Sequence, residues 1–360
     1  MHVKTFLKPG LIAAVLLTLS WVNLPLAKAG DVTLSVWPSP TDSTLFSVCM
    51  VNASDGWSVG ESGTIIHWDG AQWANVTSPT NYTLYSVSMV GADDGWAVGD
   101  LGTIIHWEGT SWTNVLSPTP YHLFSVCMVN ASDGWAVGQD GAIIHWDGAQ
   151  WANVTSPTNY NFYSVSMVGA DDGWAVGDSW RIHWNGTSWN RFTGYLYATG
   201  DYSVCMVDAN DGWTMGGLGM ITRWNGSQWV YVDSSTMYVF YSVFMTSVDD
   251  GWAVGGPGTL MEWNYSTTIL HWDGIKWTYV GGPTEQILRS VFMVNSSDGW
   301  AVGDLGTIIR WNGTTWVVPE LSVAIYAVFL PSLMLIAVIM EKALKKQIYS
   351  SLHHEASNQK

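Results

Sequence analysis

Trp57, Trp96, Trp135, Trp174 and Trp213 follow one another at intervals of 39 residues, Trp252 continues the series, and Trp300 comes 48 residues later because nine residues are inserted. Length alone cannot divide such a chain into domains, because stacked repeats share one continuous core. Each of the seven copies reads approximately L-x-S-V-x-M-V-x-x-x-D-G-W-A-V-G-x-x-G-T-I-I-H-W-D/N-G-x-x-W-x-x-V. Four short β-rich runs are separated by Gly, Asp, Asn and Pro turn signals, and in the second copy the runs are Tyr85 to Val90, Trp96 to Gly99, Thr103 to Trp107 and Trp112 to Leu116.

Four strands in roughly 40 residues is the propeller period. A solenoid is the rival architecture, but a four-stranded antiparallel meander buries both faces only when blades pack face to face around an axis. Asp69-Gly70, Asp147-Gly148, Asn185-Gly186, Asn225-Gly226, Asp273-Gly274 and Asn312-Gly313 join strands three and four and supply the positive φ of a tight hairpin. Pro40 aligns with Pro79, so Leu34 to Trp37 matches a fourth strand and is expected to pair onto the last blade and lock the ring. Leu45 through Asp100 is nearly repeated by Leu123 through Asp178, a duplicated pair of blades. In the sixth copy Thr259 to Trp263 is echoed by Thr268 to Trp272, which lengthens the loop between strands two and three. The expected fold is all-β: a seven-bladed β-propeller with four antiparallel strands per blade, plus one C-terminal transmembrane helix.

Hydrophobic residues make up 48% of the chain and 25 are Trp, too rich for disorder, while a charged fraction of 12% suits buried strands. The net charge is -16, and between Gly30 and Glu320 there are 27 acids against five Arg and Lys276, a balance of -21. Phosphate binding needs a basic surface, so nucleic acid is excluded as a partner. The acidity suits a solubilised surface, a cationic partner or a salty medium. Cys49, Cys127 and Cys205 recur at one repeat position, with Ser88 and Ser166 between them. Non-adjacent blades hold equivalent Cα atoms beyond the ~7 Å reach of a disulfide, so these are expected to be buried thiols.

Lys4 and Lys8, an apolar run from Leu11 to Val22 and then Ala27-Lys28-Ala29 form a signal peptide, residues 1–29. Residues 30–320 are the propeller. Leu321 to Met340 is uncharged and long enough to cross a bilayer as a helix. Lys342, Lys345 and Lys346 follow, which leaves the tail, 341–360, cytoplasmic and the propeller outside the plasma membrane.

The Gly-Trp-Ala-Val-Gly core, as at Gly95 to Gly99, followed by Gly-Thr-Ile-Ile, Asp/Asn-Gly and Trp, resembles the repeats of the photosystem II assembly and stability factor propellers. It is also similar to the Asp-box (BNR) repeats of sialidase-like propellers, with a hairpin one residue shorter between Asp69 and Trp73. The resemblance spans nearly all of Val32 to Val318 and implies the propeller fold. The assembly factors are associated with an Arg-rich patch, whereas Arg181, Arg191, Arg223, Arg289 and Arg310 are scattered over different copies and strand positions here. A photosystem partner is therefore not carried over. Val318-Pro319-Glu320-Leu321 resembles the Pro-Glu-Phe type of archaeal C-terminal sorting signal, which implies an anchor near the membrane.

Trp fills three columns of the repeat, for instance Trp57, Trp68 and Trp73, as interblade packing is expected to require. Trp37, Trp180 and Trp263 fall outside the columns and are surface candidates. His67, His106, His145, His183 and His271 share one register, with Arg223 and Arg310 in the other copies, but equivalent third strands lie too far apart to converge on one metal ion. Asp55, Asp94, Asp133, Asp172, Asp211, Asp250 and Asp298 each precede Gly-Trp and are expected to cap the turn between strands one and two rather than to hold calcium. No metal, cofactor or catalytic residue is expected. N-x-S/T sequons stand at Asn52, Asn75, Asn81, Asn130, Asn153, Asn185, Asn225, Asn264, Asn295 and Asn312, several generated by the repeat itself.

The loops from strand four to the next blade are the least uniform. They bring Tyr82, Tyr121, Tyr160, Tyr197 and Tyr238 to one face together with the strand two to three loops, as adaptable binding loops on a rigid scaffold do. The expected function is a non-catalytic binding or scaffold propeller at the cell surface, whose partner is a protein or a glycan. The alternatives are a sialidase- or glycosidase-type hydrolase, needing convergent carboxylates such as Glu262 or Glu285, and a passive surface-layer or adhesion component.

Overall fold

A computed structural model describes residues 39–178, 180–192, 200–234, 236–257 and 267–318. Within them the chain forms seven four-stranded antiparallel sheets in strict chain order, spanning 45–75, 84–114, 123–153, 162–191, 201–232, 239–279 and 288–317. In blade two the strands are Leu84–Gly91, Asp94–Gly99, Ile104–Trp107 and Trp112–Asn114. The fourth strand ends at Asn114, earlier than the sequence suggests, and Asn114 donates a side-chain amide N–H to the Pro79 carbonyl at 3.0 Å. The inserted residues of blade six do fall between strands two and three, and the second echo, Thr268–Trp272, is the one that pairs as strand three.

Each blade is held to the next by three tryptophans. Trp57 of blade one lies 4.6 Å from Trp107 and 5.4 Å, edge-on, from Trp112 of blade two, and the same trio recurs at every seam. The last seam is built identically, with Trp300 at 4.7 Å from Trp68 and 5.3 Å from Trp73. Large aromatic side chains bury much apolar surface at such interfaces, here beside Leu, Ile and Val. The Trp columns are thus interblade core.

First strands form the inner edge of every sheet, where an unpaired row of N–H groups must be satisfied. The serine of L-x-S-V does this for the adjacent blade. Ser47, Ser86, Ser125, Ser164, Ser203, Ser242 and Ser290 accept from the backbone N–H of Val87, Val126, Val165, Val204, Val243, Val291 and Val48 at 3.1–3.2 Å. The circuit closes between blades seven and one.

The Cys/Ser column forms a second tier. Cys49 Sγ accepts from Met89 N–H at 3.4 Å, where Ser88 and Ser166 accept from Met128 and Met206. The three thiols are free; Cys49 is buried in a cluster against which Phe292 packs, whereas Cys127 and Cys205 are half-buried. Burial pushes the Cys49 and Cys205 thiols up to about 11.

Residues 39–44 cross the seam between blades seven and one as interblade loops cross the others. Pro40 accepts from Asn75 as Pro79 does from Asn114, and Thr41 lies against Gly306 as Thr80 lies against Gly63. Gly63 has φ of +72°, so both its backbone and that close approach require glycine. The expected pairing of Leu34 to Trp37 lies outside the described residues. So do residues 1–29, the expected signal peptide, and Leu321 to Met340. Among the described residues no helix is long and apolar enough to cross a membrane.

Candidate binding face and channel mouth

Interblade loops and strand two to three turns do share one face: Ser234 Oγ bonds Gly219 O at 2.8 Å and Asp140 N–H donates to Asn161 Oδ1 at 3.0 Å across them. Tyr82, Tyr121 and Tyr160 stand there 52%, 44% and 47% exposed, enough to offer a ring to a partner. Each is presented by a Thr two residues earlier, Thr80, Thr119 or Thr158, whose hydroxyl accepts the tyrosine N–H. Tyr238 follows the same turn but is half-buried, and Tyr197 lies outside the described residues. The tyrosines sit one to a seam rather than in a single cluster.

Leucines add to this face. Leu101, Leu218 and Leu305 occupy the middle of the strand two to three turn at φ of 53–54°, and all three are exposed. A β-carbon in the left-handed region costs about 1–2 kcal/mol, and solvent-facing leucine gains nothing there from burial. Trp180 is half-buried beneath the Arg191 guanidinium at 4.8 Å, and Trp263 lies outside the described residues.

In all seven blades the register between strands one and two slips by one residue at the same place, as between Leu45–Gly60 and Ser47–Val59. Such a β-bulge re-aims the extra residue. The bulged residues are Phe46, Tyr85, Phe124, Tyr163, Tyr202, Tyr241 and Arg289. The six rings contact one another in sequence, with centroids 5.4–6.0 Å apart, and Arg289 sits 4.6 Å over Tyr241. They form a half-buried collar around the channel mouth on the loop face.

Acids behind the collar hold it in place. Tyr85 Oη donates to Asp100 Oδ1 at 2.8 Å, Tyr163 Oη to Asp178 Oδ1 at 2.6 Å, and Arg289 makes a bidentate pair with Asp304 at 2.7 and 3.0 Å. Burial, reinforced by Asp178, pushes the Tyr163 phenol up to about 12, and burial with Asp100 raises Tyr85 further. Sequence reasoning missed this collar. Its signal was present as a column that is Phe or Tyr in six copies and Arg in one.

The Asp of Asp-Gly-Trp does not cap its turn. It opens strand two on the side of Trp57 that faces His67, and Asp55 Oδ1 lies 2.8 Å from His67 Nε2. Equivalent pairs join Asp94–His106, Asp133–His145, Asp172–His183 and Asp250–His271, and Arg223 and Arg310 meet Asp211 and Asp298 in the remaining blades. Turn capping falls instead to Asn52, Asn130 and Asn295, whose Oδ1 accepts from the Ser two residues on. Among the described residues no group of acids, His and Cys could hold a metal ion.

The nine described sequon asparagines are all exposed, and Asn264 lies outside the described residues. Many sequons are structural turns: in Asn52, Asn185, Asn225 and Asn312 the sequon hydroxyl donates to the asparagine Oδ1. Asn75 and Asn153 spend their amide N–H on Pro40 and Pro118. Glu285 is exposed, and Glu262 lies outside the described residues.

No protein-family model matches the chain, and no curated protein matches it. Solved structures do. YCF48 bound to D1 peptide is 18% identical with a TM-score of 0.62, covering 78% of this chain and 99% of that one. YCF48 from Cyanidioschyzon merolae is 20% identical with a TM-score of 0.61, covering 76% and 97%. The WD40 β-propeller domain of Doa1 is 15% identical with a TM-score of 0.62, covering 77% and 94%. At such identities the likeness is one of fold, so the chain is a β-propeller built like YCF48 and like a WD40 domain.

Proposed function

We propose that this protein is a non-catalytic scaffold that binds another protein through its loop face, outside the cell and tethered by Leu321 to Met340. The observation that carries the reading is the concentration of exposed Tyr82, Leu101, Leu116, Tyr121, Tyr160 and Leu305 on that one face. Rigid aromatic and aliphatic anchors on loops over a stiff scaffold are the composition of interaction surfaces. YCF48, a propeller of the same fold, was solved with a D1 peptide, which supports polypeptide as the ligand class. The acidic balance of the exported segment, -21, favours a partner with a basic contact region.

Photo-crosslinking tests this reading. A benzophenone amino acid at Tyr121 is expected to capture one discrete protein in native membranes, and the same group at exposed Tyr279 on an outer strand to capture none. Equal labelling from both positions, or none from Tyr121, defeats it. Labelling of the propeller by a membrane-impermeant reagent on intact cells tests the topology.

A further inference from the structure

We propose that the collar receives a lysine or arginine side chain from an extended segment of the partner, at the sector formed by Tyr163, Tyr202 and Asp178. The inference rests on the loop-face reading and names the chemistry of the segment that face takes.

Seven bulges at one register aim seven side chains at the channel mouth, and six of them are aromatic. Neighbouring centroids 5.4–6.0 Å apart around seven places give a circle of about 6 Å radius, which admits a side chain but not a folded domain. The chain itself supplies the precedent for a cation here. Arg289 places its guanidinium over one ring, Tyr241, and against one turn carboxylate, Asp304. Ring face plus carboxylate is the combination that attracts a cation.

Asp304 is occupied by Arg289, and Asp100 lies 2.9 Å from His122 Nδ1. Asp178 accepts the Tyr163 hydroxyl and, among the described residues, has no cation within ion-pair distance. Burial chiefly raises the Tyr202 phenol, and Tyr241 and Asp178 add to that rise. A phenol donating to a carboxylate is electron-rich, which strengthens the attraction of its ring for a cation. A neutral sugar fits less well, because neighbouring rings are tilted by 31–64° and offer no common flat platform.

The test titrates the full chain into fluorescein-labelled Gly/Ser decapeptides carrying three arginines, three lysines, three norleucines or three glutamates, read by anisotropy. Arginine and lysine peptides are expected to bind at least tenfold tighter than the other two. Asp178→Asn and Tyr202→Leu should each weaken the arginine peptide at least fivefold, with Tyr202→Phe restoring it. Asp249→Asn, which removes one exposed charge from the opposite face, should leave it unchanged. Equal losses from Asp178→Asn and Asp249→Asn mean non-specific attraction to an acidic protein and overturn the proposal, as does equal binding of the norleucine peptide. If these fail while Tyr121 still crosslinks a discrete protein, the collar inference falls and the loop-face reading stands.

Discussion

Two seams of the ring solve one packing problem with opposite chemistry. Between blades two and three, Ile104, Leu123, Ala136 and Ile144 form a dry cluster with Trp96 and Trp151. Between blades four and five the same four places hold Arg181, Asp201, Thr214 and Thr222. Arg181 is only 2% exposed, so its charge depends on Asp201 at 2.7 and 3.2 Å and on the Trp229 ring at 4.9 Å. Thr214 donates to Asp201 and meets Thr222 at 2.8 Å. The repeat therefore prescribes the shape of a seam and leaves its polarity open, provided that the polar set satisfies itself.

Breaking the polar seam on one side has the largest expected effect. Arg181→Met, or Asp201→Leu, strands a buried charge and should cost about 3–5 kcal/mol in chemical denaturation. Converting the whole seam, Arg181→Ile with Asp201→Leu, Thr214→Ala and Thr222→Ile, should instead be neutral or stabilising by about 1–4 kcal/mol. A fourfold variant as unstable as either single would show that the two seams are not equivalent.

Smaller changes probe what both seams share. Ser86→Ala at the apolar seam and Ser164→Ala at the polar one each remove one acceptor from the inner circuit, and each should cost about 1 kcal/mol of unfolding free energy in urea titration. The thiol tier gives a pH signature. Cys49 is protonated in the fold up to about 11, against 9.0 for an ordinary thiol. The unfolded chain therefore loses its proton first, and stability declines as pH rises from about 9 through 11. The urea midpoint of Cys49→Ser should decline less over that window than that of the unaltered chain.

Much of the fold was legible because its determinants are local. Strand three of blade two, Ile104–Trp107, and the Trp columns follow from alternation and spacing within a single copy. Asp55 was misread because its partner, His67, lies on another strand, where the pairing register and not sequence distance sets the contact. Each hairpin carries positive φ at its glycine alone, as at Gly70, while Asp69 caps the N–H groups of Ala71 and Gln72. Tyr82, Tyr121 and Tyr160 could be placed on a loop face from sequence, but Tyr238 could not be known to be half-buried.

From the sequence alone came the number of blades, the order of strands and the residues that pack between them, because each depends on periodicity repeated every 39 residues. The tertiary structure decided the collar and the serine circuit. A bulge alters side-chain direction without altering composition, and a hydrogen bond such as that from Val126 N–H to Ser86 Oγ joins residues 40 apart only once two blades have packed.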